Sequence, residues 1–476
     1  MDLYLIKMKR KKILLISPSS AVSVYKEAKV KEALEHMPYL SLAYLGAMLI
    51  KHKHEVKVLD LSLFENPRKA LLKTLDDFQP DYAGISFTTP LYDEMIMLSK
   101  LIKEYDKNII VIGGGPHSSV LPRETLMESE LDIIVIGEGD YTIIEIVSGK
   151  SLSKIKGVAY KSGSRVVVTQ HRDFIRDMDK LPLPEWSLFD LKKYYVPLLR
   201  AKLNPVGPIE TSRGCPFTCS FCNKSIHGIT FRPKSPKRVV QEIENMLDAG
   251  FREIHVKDDG FTTNIQRANK ICDMIIDRGL EFPWNLANGV RVDRVNKEFF
   301  IKAEKAGCHS AGVGIESGSQ KVIDSLNKNI TLDMVRRTVK LFGKSGIESI
   351  GYFIIGAPSD TDKTIKQTIK FALSLKGLDM AKATVFMPFP GTPAFIDLDK
   401  RGYILSKNWT NYNYHSLNVR KVFKHPNLSW DKIYDYHNLF HRKFYFRPSK
   451  MVEVGWKSFK DRTLLYKARA ALKTKW

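Results

Sequence analysis

The stretch TSRGCPFTCSFCN, residues 211–223, decides how the rest of the chain is read. Three of the five cysteines, Cys215, Cys219 and Cys222, fall within eight residues, at relative positions 1, 5 and 8. Thiolates so spaced on one loop can hold three corners of a cubane iron–sulfur cluster, which leaves the fourth iron without a protein ligand. A vacant metal position is chemically useful, because it can accept the amino and carboxylate groups of a small molecule. The same cysteines would also suit a zinc knuckle with Cys308 or His227 as fourth ligand. An odd, clustered cysteine count argues against a disulfide framework and for a metal site in a reducing compartment. Cys272, in the amphipathic stretch ANKICDMII, and Cys308, just after Gly307, read as structural.

Around and beyond this loop, strand and helix alternate. PIETS (208–212), IHVKDD (254–259), NLANGV (285–290), SAGVGIES (310–317), ESIGYFII (348–355) and MAKATVFM (380–387) read as strands. VVQEIENMLDAG (239–250) and KEFFIKAEKAG (297–307) read as helices that end on glycine, a common stop signal. Repeated βα units predict a partial (β/α)6 TIM-type barrel over 201–400, a fold that places chemistry at the carboxyl ends of its strands.

Upstream, KILLIS (12–17), EVKVLD (55–60), YAGISF (82–87), IIVIGG (109–114) and DIIVIG (132–137) are short apolar strands. Helical periodicity in SLAYLGAMLIKH (41–52) and EMIMLSKLIKEY (94–105) separates them. The pattern predicts a Rossmann-like, doubly wound parallel sheet over 10–150. Its glycine-rich strand ends, Gly113 to Gly115 and Gly137 to Gly139, let a bulky ligand approach the backbone at the carboxyl edge. No GxGxxG opens a helix after the first strand, so a plain dinucleotide site is the weaker reading. GVAYKSGSRVVVTQ (157–170) reads as a hairpin, and with DKLPLPEWSLFDL (179–191) it is expected to form a linker over 151–200.

After residue 400 the periodicity weakens. KIYDYHNLFHRKFYFRPSK (432–450) and WKSFKDRTLLYKARAALKTKW (456–476) read as helices of a basic, aromatic-rich region over 401–476. The chain as a whole has 75 Lys and Arg against 52 Asp and Glu, a formal charge of +23, which favours an anionic partner. The apolar run after the basic start is too short for a secretory signal, and no stretch approaches the roughly 20 apolar residues that span a bilayer. A cytoplasmic location is expected, with peripheral contact at the inner face of a membrane through the C-terminal region. The alternative is an ordinary helical cap on the barrel.

The Cys-x3-Cys-x-aromatic-Cys pattern, with Phe221 before Cys222, resembles the signature of the radical SAM superfamily. That resemblance implies a [4Fe–4S] cluster whose vacant iron chelates S-adenosylmethionine, electron transfer through the cluster, cleavage of a carbon–sulfur bond and a 5′-deoxyadenosyl radical. The strand-end segments match the same family, especially its cobalamin-dependent branch. KDDGFTTN (257–264) implies that Asp258 and Asp259 face the SAM amine, and GVRVDRV (289–295) that Arg291 meets its carboxylate. GVGIESGSQ (312–320) implies that Glu316 and Ser317 contact the ribose or amino group. In GYFIIGAP (351–358) and FMPFPGTP (386–393), Gly356 and Pro390 would line the adenine. Taken singly, Asp258 and Asp259 could equally cap the next helix and Glu316 sit in a structural salt bridge.

PDYAGISFTT (80–89), VIGGGPHSSVLPRETL (111–126) and IVIGEGD (134–140) resemble the cobalamin-binding domain that precedes many such barrels. The resemblance implicates Thr88, Gly113, Gly114, Gly115, His117, Gly137, Glu138 and Gly139, with His117 lining the nucleotide loop. The sequence departs from the methionine-synthase type of site, having no Asp-x-His-x-x-Gly to supply an axial histidine. The subgroup resembled includes anaerobic magnesium-protoporphyrin cyclases and hopanoid or tetraether lipid enzymes. It implies radical modification of a hydrophobic small molecule, by methyl transfer or by oxidation, cyclisation or carbon–carbon bond formation, with ferredoxin or flavodoxin as electron donor. RNA modification and a non-catalytic cobalamin or Fe–S sensor are the other readings. Nucleic acid is the less expected partner, since the first domain lacks the additional cluster cysteines of methylthiotransferases.

Overall fold

The computed structural model describes residues 9–19, 35–198, 200–413, 420–448 and 450–452. The helix expected over 456–476 lies outside the described residues.

The first sheet holds β1 (Lys12–Ser17), β2 (Glu55–Asp60), β3 (Tyr82–Ser86), β4 (Ile110–Gly114), β5 (Ile133–Val135), β6 (Val158–Ser162) and β7 (Arg165–Val168). Their order is β2-β1-β3-β4-β5-β6-β7. The first five are parallel, and β1 is buried along almost its whole length, as befits a strand with helices on both faces. Chain order reverses between β1 and β3, so a crevice opens there at the carboxyl edge. The hairpin β6–β7 pairs antiparallel with β5. It therefore belongs to this sheet and not to the linker, because the backbone of β5 would otherwise be an unpaired edge.

The second sheet runs β8 (Val206–Ile209), β11 (Glu253–Val256), β12 (Trp284–Val290), β13 (Cys308–Glu316), β14 (Glu348–Ile355) and β15 (Met380–Val385), in chain order and all parallel. It is a six-stranded open barrel. Its intervening helices begin on side-chain caps, with Ser235, Asn264, Asn296, Thr331 and Thr361 each accepting from the backbone N–H three residues on, which satisfies otherwise orphaned donors. Burial alternates strictly along β14 and β15. Ser349, Phe353, Ile355, Ala381 and Ala383 pack outward under helices, while Tyr352, Ile354, Lys382 and Thr384 face a lumen that stays partly accessible.

The helix Trp430–Tyr445 closes the open edge of β15. Tyr445 Oη lies 3.2 Å from Ala381 N and 2.9 Å from Ala381 O, and His437 Nε2 and His441 Nε2 reach the backbone of Ala383 at 3.2 and 3.3 Å. Ile433, Phe440 and Phe444 are fully buried. The aromatic residues expected at a membrane surface are here the packing face of a barrel cap that also protects a strand edge. Among the described residues no helix is long and apolar enough to cross a membrane.

Candidate active site between the cysteine loop and the first sheet

After β8 the chain pairs Ser212–Arg213 with Arg232–Pro233 as a short antiparallel ladder, β9 and β10, and the cysteine loop bulges between them. Gly214 opens the bulge at φ +79°, where an added Cβ would lie 2.2 Å from Thr230 O, so only glycine fits. Later strand ends pin the loop. Ser220 N donates to Leu326 O at 2.9 Å, Asn327 Nδ2 to Thr218 O at 2.9 Å, and Asn223 Nδ2 to Pro390 O at 3.1 Å. Cys215 and Cys219 are buried and Cys222 is half-buried. The hydrogen bond from Cys222 pulls the Cys219 thiol below its usual range, burial opposes this, and the Lys328 and Arg291 charges add to the lowering. The same hydrogen bond and burial push the Cys222 thiol up, against the Lys224 and Lys328 charges, so the nearby cations are what favour thiolates on this loop.

Arg291, Glu316 and Lys328 thus share the field of Cys219. Arg291 donates from Nε to Asp293 at 2.9 Å and from Nη2 to Lys328 O at 2.9 Å, and stacks 3.5 Å above the Phe217 ring centroid. Glu316 stands in the left-handed region at φ +62° and is paired with the buried Lys328 ammonium. Phe221 lies on the same side, its ring 6.0 Å from Lys328 Nζ.

Other expected residues sit elsewhere. Asp258 is buried, and its carboxylate accepts from Thr211 N, Thr211 Oγ1 and Ser212 Oγ at 2.5, 2.5 and 2.6 Å. It braces the start of the cysteine loop. Asp259 is exposed, accepts from Gly214 N at 3.2 Å, and lines the cavity described below. Neither caps the following helix, which Asn264 does. Ser317 Oγ is engaged by Thr368 at 2.9 Å, turned away from the lumen. Gly356 is held by Asp360 through its N–H, and a side chain there would strike Ile433 of the capping helix, so its place is beneath that helix. Thr88 is exposed at the start of a 3₁₀ turn. His117 is buried among Phe87, Tyr92 and Trp409, with Nδ1 3.1 Å from Thr89 Oγ1. Burial pushes its pKa down to about 4. The zinc alternative loses its fourth ligand, because Cys308 Sγ donates to Ser310 O within β13 and His227 lies between Glu138 and Glu210.

Between the first sheet and the cysteine loop lies a cavity of about 460 Å³, within the range of small-molecule sites. Gly113, Gly114, Gly137 and Glu138 form one wall, and Arg213, Asn223, Lys224 and His227 another. Gly115 and Gly139 belong to the same lining. A Cβ added at Gly114 would meet nothing within 4 Å, so bare backbone faces open space there. Beneath this cavity runs a buried ionic lattice. Arg213 donates to Asp140 at 2.8 and 3.3 Å and to Glu210 at 2.7 Å. Glu138 receives Arg232 at 2.8 and 3.1 Å and Ile175 N at 2.9 Å, with His227 Nδ1 3.3 Å away. Burial raises the Glu138 pKa, but the His227 and Arg232 hydrogen bonds and the Arg213 charge outweigh it and hold it at about 2.

Two family models match the chain, the radical SAM superfamily over residues 209–372 and the B12 binding domain over residues 29–147. An uncharacterized methyltransferase of Pyrococcus horikoshii is 32% identical over 454 residues, covering 94% of this chain and 95% of its own. The chain belongs to the radical SAM superfamily. Anaerobic magnesium-protoporphyrin IX monomethyl ester cyclase of Cereibacter sphaeroides is 28% identical over 417 residues, 85% of this chain and 66% of that one. The cobalamin-dependent radical enzyme OxsB, solved with aqua-cobalamin, shares the fold with a TM-score of 0.73 and 18% identity over 97% of this chain and 77% of its own.

As a radical SAM enzyme with a B12 binding domain, the chain uses a [4Fe–4S] cluster, S-adenosylmethionine and cobalamin. The residues present fit these groups: three thiols on one pinned loop, and a glycine-lined cradle against it. Sequence reasoning did not find Arg213, Asp140, Arg232 or Lys328. The signal available was a charge two residues before Cys215 and an Asp closing GEGD, but nothing in the linear order pairs position 140 with position 213.

Proposed function

We propose that this radical SAM enzyme transfers a methyl group to an unactivated carbon of a hydrophobic small molecule. The observation that carries the reading is the shared wall: Asn223, Lys224, Ile226, His227 and Gly228, soon after Cys222, line the same cavity as the glycine-rich ends of β4 and β5. A corrinoid held in that cavity and SAM at the cluster would lie side by side. When bound, the cluster supplies the electron that cleaves SAM, and the corrinoid supplies a carrier for the methyl group. The chain's own residues do the rest. Cys215, Cys219 and Cys222 hold the cluster, Arg291, Glu316 and Lys328 offer charges for the amino-acid end of SAM, and Asp259 and Pro390 border the loop. Gly113, Gly114, Gly115, Gly137 and Gly139 admit the corrinoid, and Glu138 secures its cradle.

The similarity to an uncharacterized methyltransferase over nearly the whole chain supports methyl transfer. The shorter match to the cyclase keeps radical cyclisation or oxidation as the second reading. Ferredoxin or flavodoxin would supply electrons, and part of the +23 charge suits such acidic donors. Anaerobic incubation of the reconstituted enzyme with reductant, CD3-labelled SAM and an extract of a deletion strain separates these readings. A product carrying the CD3 group is expected. 5′-Deoxyadenosine with an altered but unlabelled product would replace methyl transfer by cyclisation or oxidation, and neither product would leave a sensor.

A further inference from the structure

The cysteine loop meets interior space on two sides. Asn223 and Lys224, next to Cys222, line the glycine-walled cavity. Phe221, whose ring lies 6.0 Å from Lys328 Nζ, faces the buried Glu316–Lys328 pair. The stretch between Cys215 and Cys219 is different. Pro216 and Thr218 are exposed and Phe217 is half-buried, and none of the three lines the cavity. Two buried thiol-bearing residues thus each adjoin an exposed one along this outer edge.

The surroundings of that edge carry charge in a fixed arrangement. The Arg291 and Arg294 guanidinium carbons lie 3.5 and 5.5 Å from the Phe217 ring centroid. Arg294 N donates to Arg291 O at 3.0 Å, so a single turn holds both cations beside the loop. Asp293 pairs with both, at 2.9 and 3.5 Å, and one carboxylate against two guanidiniums leaves a net positive charge. The Arg294 side chain is 48% exposed and that of Asp293 20%, so it is the cation that meets solvent. On the other flank Asn327 Nδ2 donates to Thr218 O and Thr218 Oγ1 at 2.9 and 2.8 Å, and both residues are exposed. An aromatic centre, a cationic flank and an uncharged polar flank therefore form one surface directly over the loop.

We propose that this surface, centred on Phe217 and flanked by Arg294 and by Thr218 with Asn327, is where an acidic one-electron carrier protein docks to reduce the cluster. The inference rests on the reading that the three cysteines hold a cluster fed by ferredoxin or flavodoxin, and it names the place of contact. One electron leaves the reduced carrier, which is thereby oxidised, and reduces the cluster by that same electron; no bond forms and no proton moves. The cavity and the interior of the barrel are left to cofactor and substrate, and the carrier approaches from the side that is open. A cationic patch steers an acidic partner during encounter, an effect that acts chiefly on the association rate and is screened by salt.

The test is stopped-flow reduction of the reconstituted, anaerobic holoenzyme, followed by its absorbance, with reduced ferredoxin and separately with flavodoxin hydroquinone. With at least one carrier, Arg294→Glu is expected to lower the second-order rate constant about ten-fold at low ionic strength, and to within about two-fold of the unmodified protein in strong salt. Thr218→Glu, which adds a negative charge on the other flank, should act in the same direction. Calorimetric titration with the same carrier in its oxidised form should show the dissociation constant raised about as much. Lys69→Glu makes the same change of net charge on the helix Pro67–Phe78 of the first domain, and it should leave rate and affinity unchanged. Dithionite, which needs no docking surface, should reduce every variant alike, and iron content separates a lost surface from a lost cluster. The proposal is overturned if neither carrier reduces the protein, if Arg294→Glu is reduced at the original rate at low salt, or if Lys69→Glu slows reduction as much. Cluster reduction is measured without turnover, so failure of CD3 transfer leaves this result standing, and failure here leaves methyl transfer untouched.

Discussion

Replacing Arg213 by Met probes the contact that joins the two domains directly behind the cysteine loop. The guanidinium donates to Asp140 in the first domain and Glu210 in the second, and lies 3.4 Å from Glu138. The side chains of Arg213 and Asp140 are each 6% exposed and that of Glu138 3%, so water cannot replace the lost donors without opening the interface. Removing one partner of a buried ion pair costs about 3–5 kcal/mol, against about 0–1 kcal/mol for a surface pair. With a urea dependence near the upper end of about 1–3 kcal/mol per molar, the unfolding midpoint should fall by about 1–2 M. Near-ultraviolet circular dichroism would follow it, with iron and cobalamin content measured on the same samples. Arg213→Met combined with Asp140→Asn should recover part of the loss, because it removes an orphaned charge. A midpoint shift below about 0.5 M would refute the reasoning, since the lattice would then be behaving as a solvated surface network.

Other expected outcomes concern the same region. Asp258→Ala leaves three donors of Thr211 and Ser212 without their acceptor, at about 1–3 kcal/mol for each one left buried and unpaired. Lower iron incorporation should follow, with partial recovery in Asp258→Asn. Gly214→Ala should abolish iron loading as measured by absorbance after anaerobic reconstitution, because its Cβ would collide with Thr230 O. The acid limb of stability should carry Glu138 and Glu253, both held at about 2 against a usual 4.5. Their contribution is complete above about pH 4.5 and is lost as pH falls toward 2. Fluorescence-monitored unfolding between pH 6 and 2 should therefore flatten in Glu253→Gln.

Much of this was legible in the chain itself, for a physical reason. Strand and helix periods are local, so KILLIS, EVKVLD and ESIGYFII are strands at the residues expected, and the cysteine spacing is a property of one loop. Features that depend on pairing across the fold were not legible. GVAYKSGSRVVVTQ reads as a hairpin in isolation, and only the exposed edge of β5 draws it into the first sheet. His117 follows a glycine-rich turn like a cofactor residue, yet Trp409, almost three hundred residues later, closes the cage around it. Asp258 and Asp259 are adjacent and chemically identical, and alternation along the chain sends one into the base of the cysteine loop and the other to the cavity. The basic aromatic stretch 432–450 suits a membrane surface by composition alone. The unpaired edge of β15 decides instead that its helix packs on the barrel.

The most direct test of the account is Mössbauer spectroscopy of the ⁵⁷Fe-reconstituted, anaerobic enzyme with and without SAM. The account predicts a [4Fe–4S] spectrum in which one iron site changes when SAM is added, and its loss when Cys215, Cys219 and Cys222 are replaced by Ala. A spectrum without such a cluster, or one that survives the triple replacement, would contradict it.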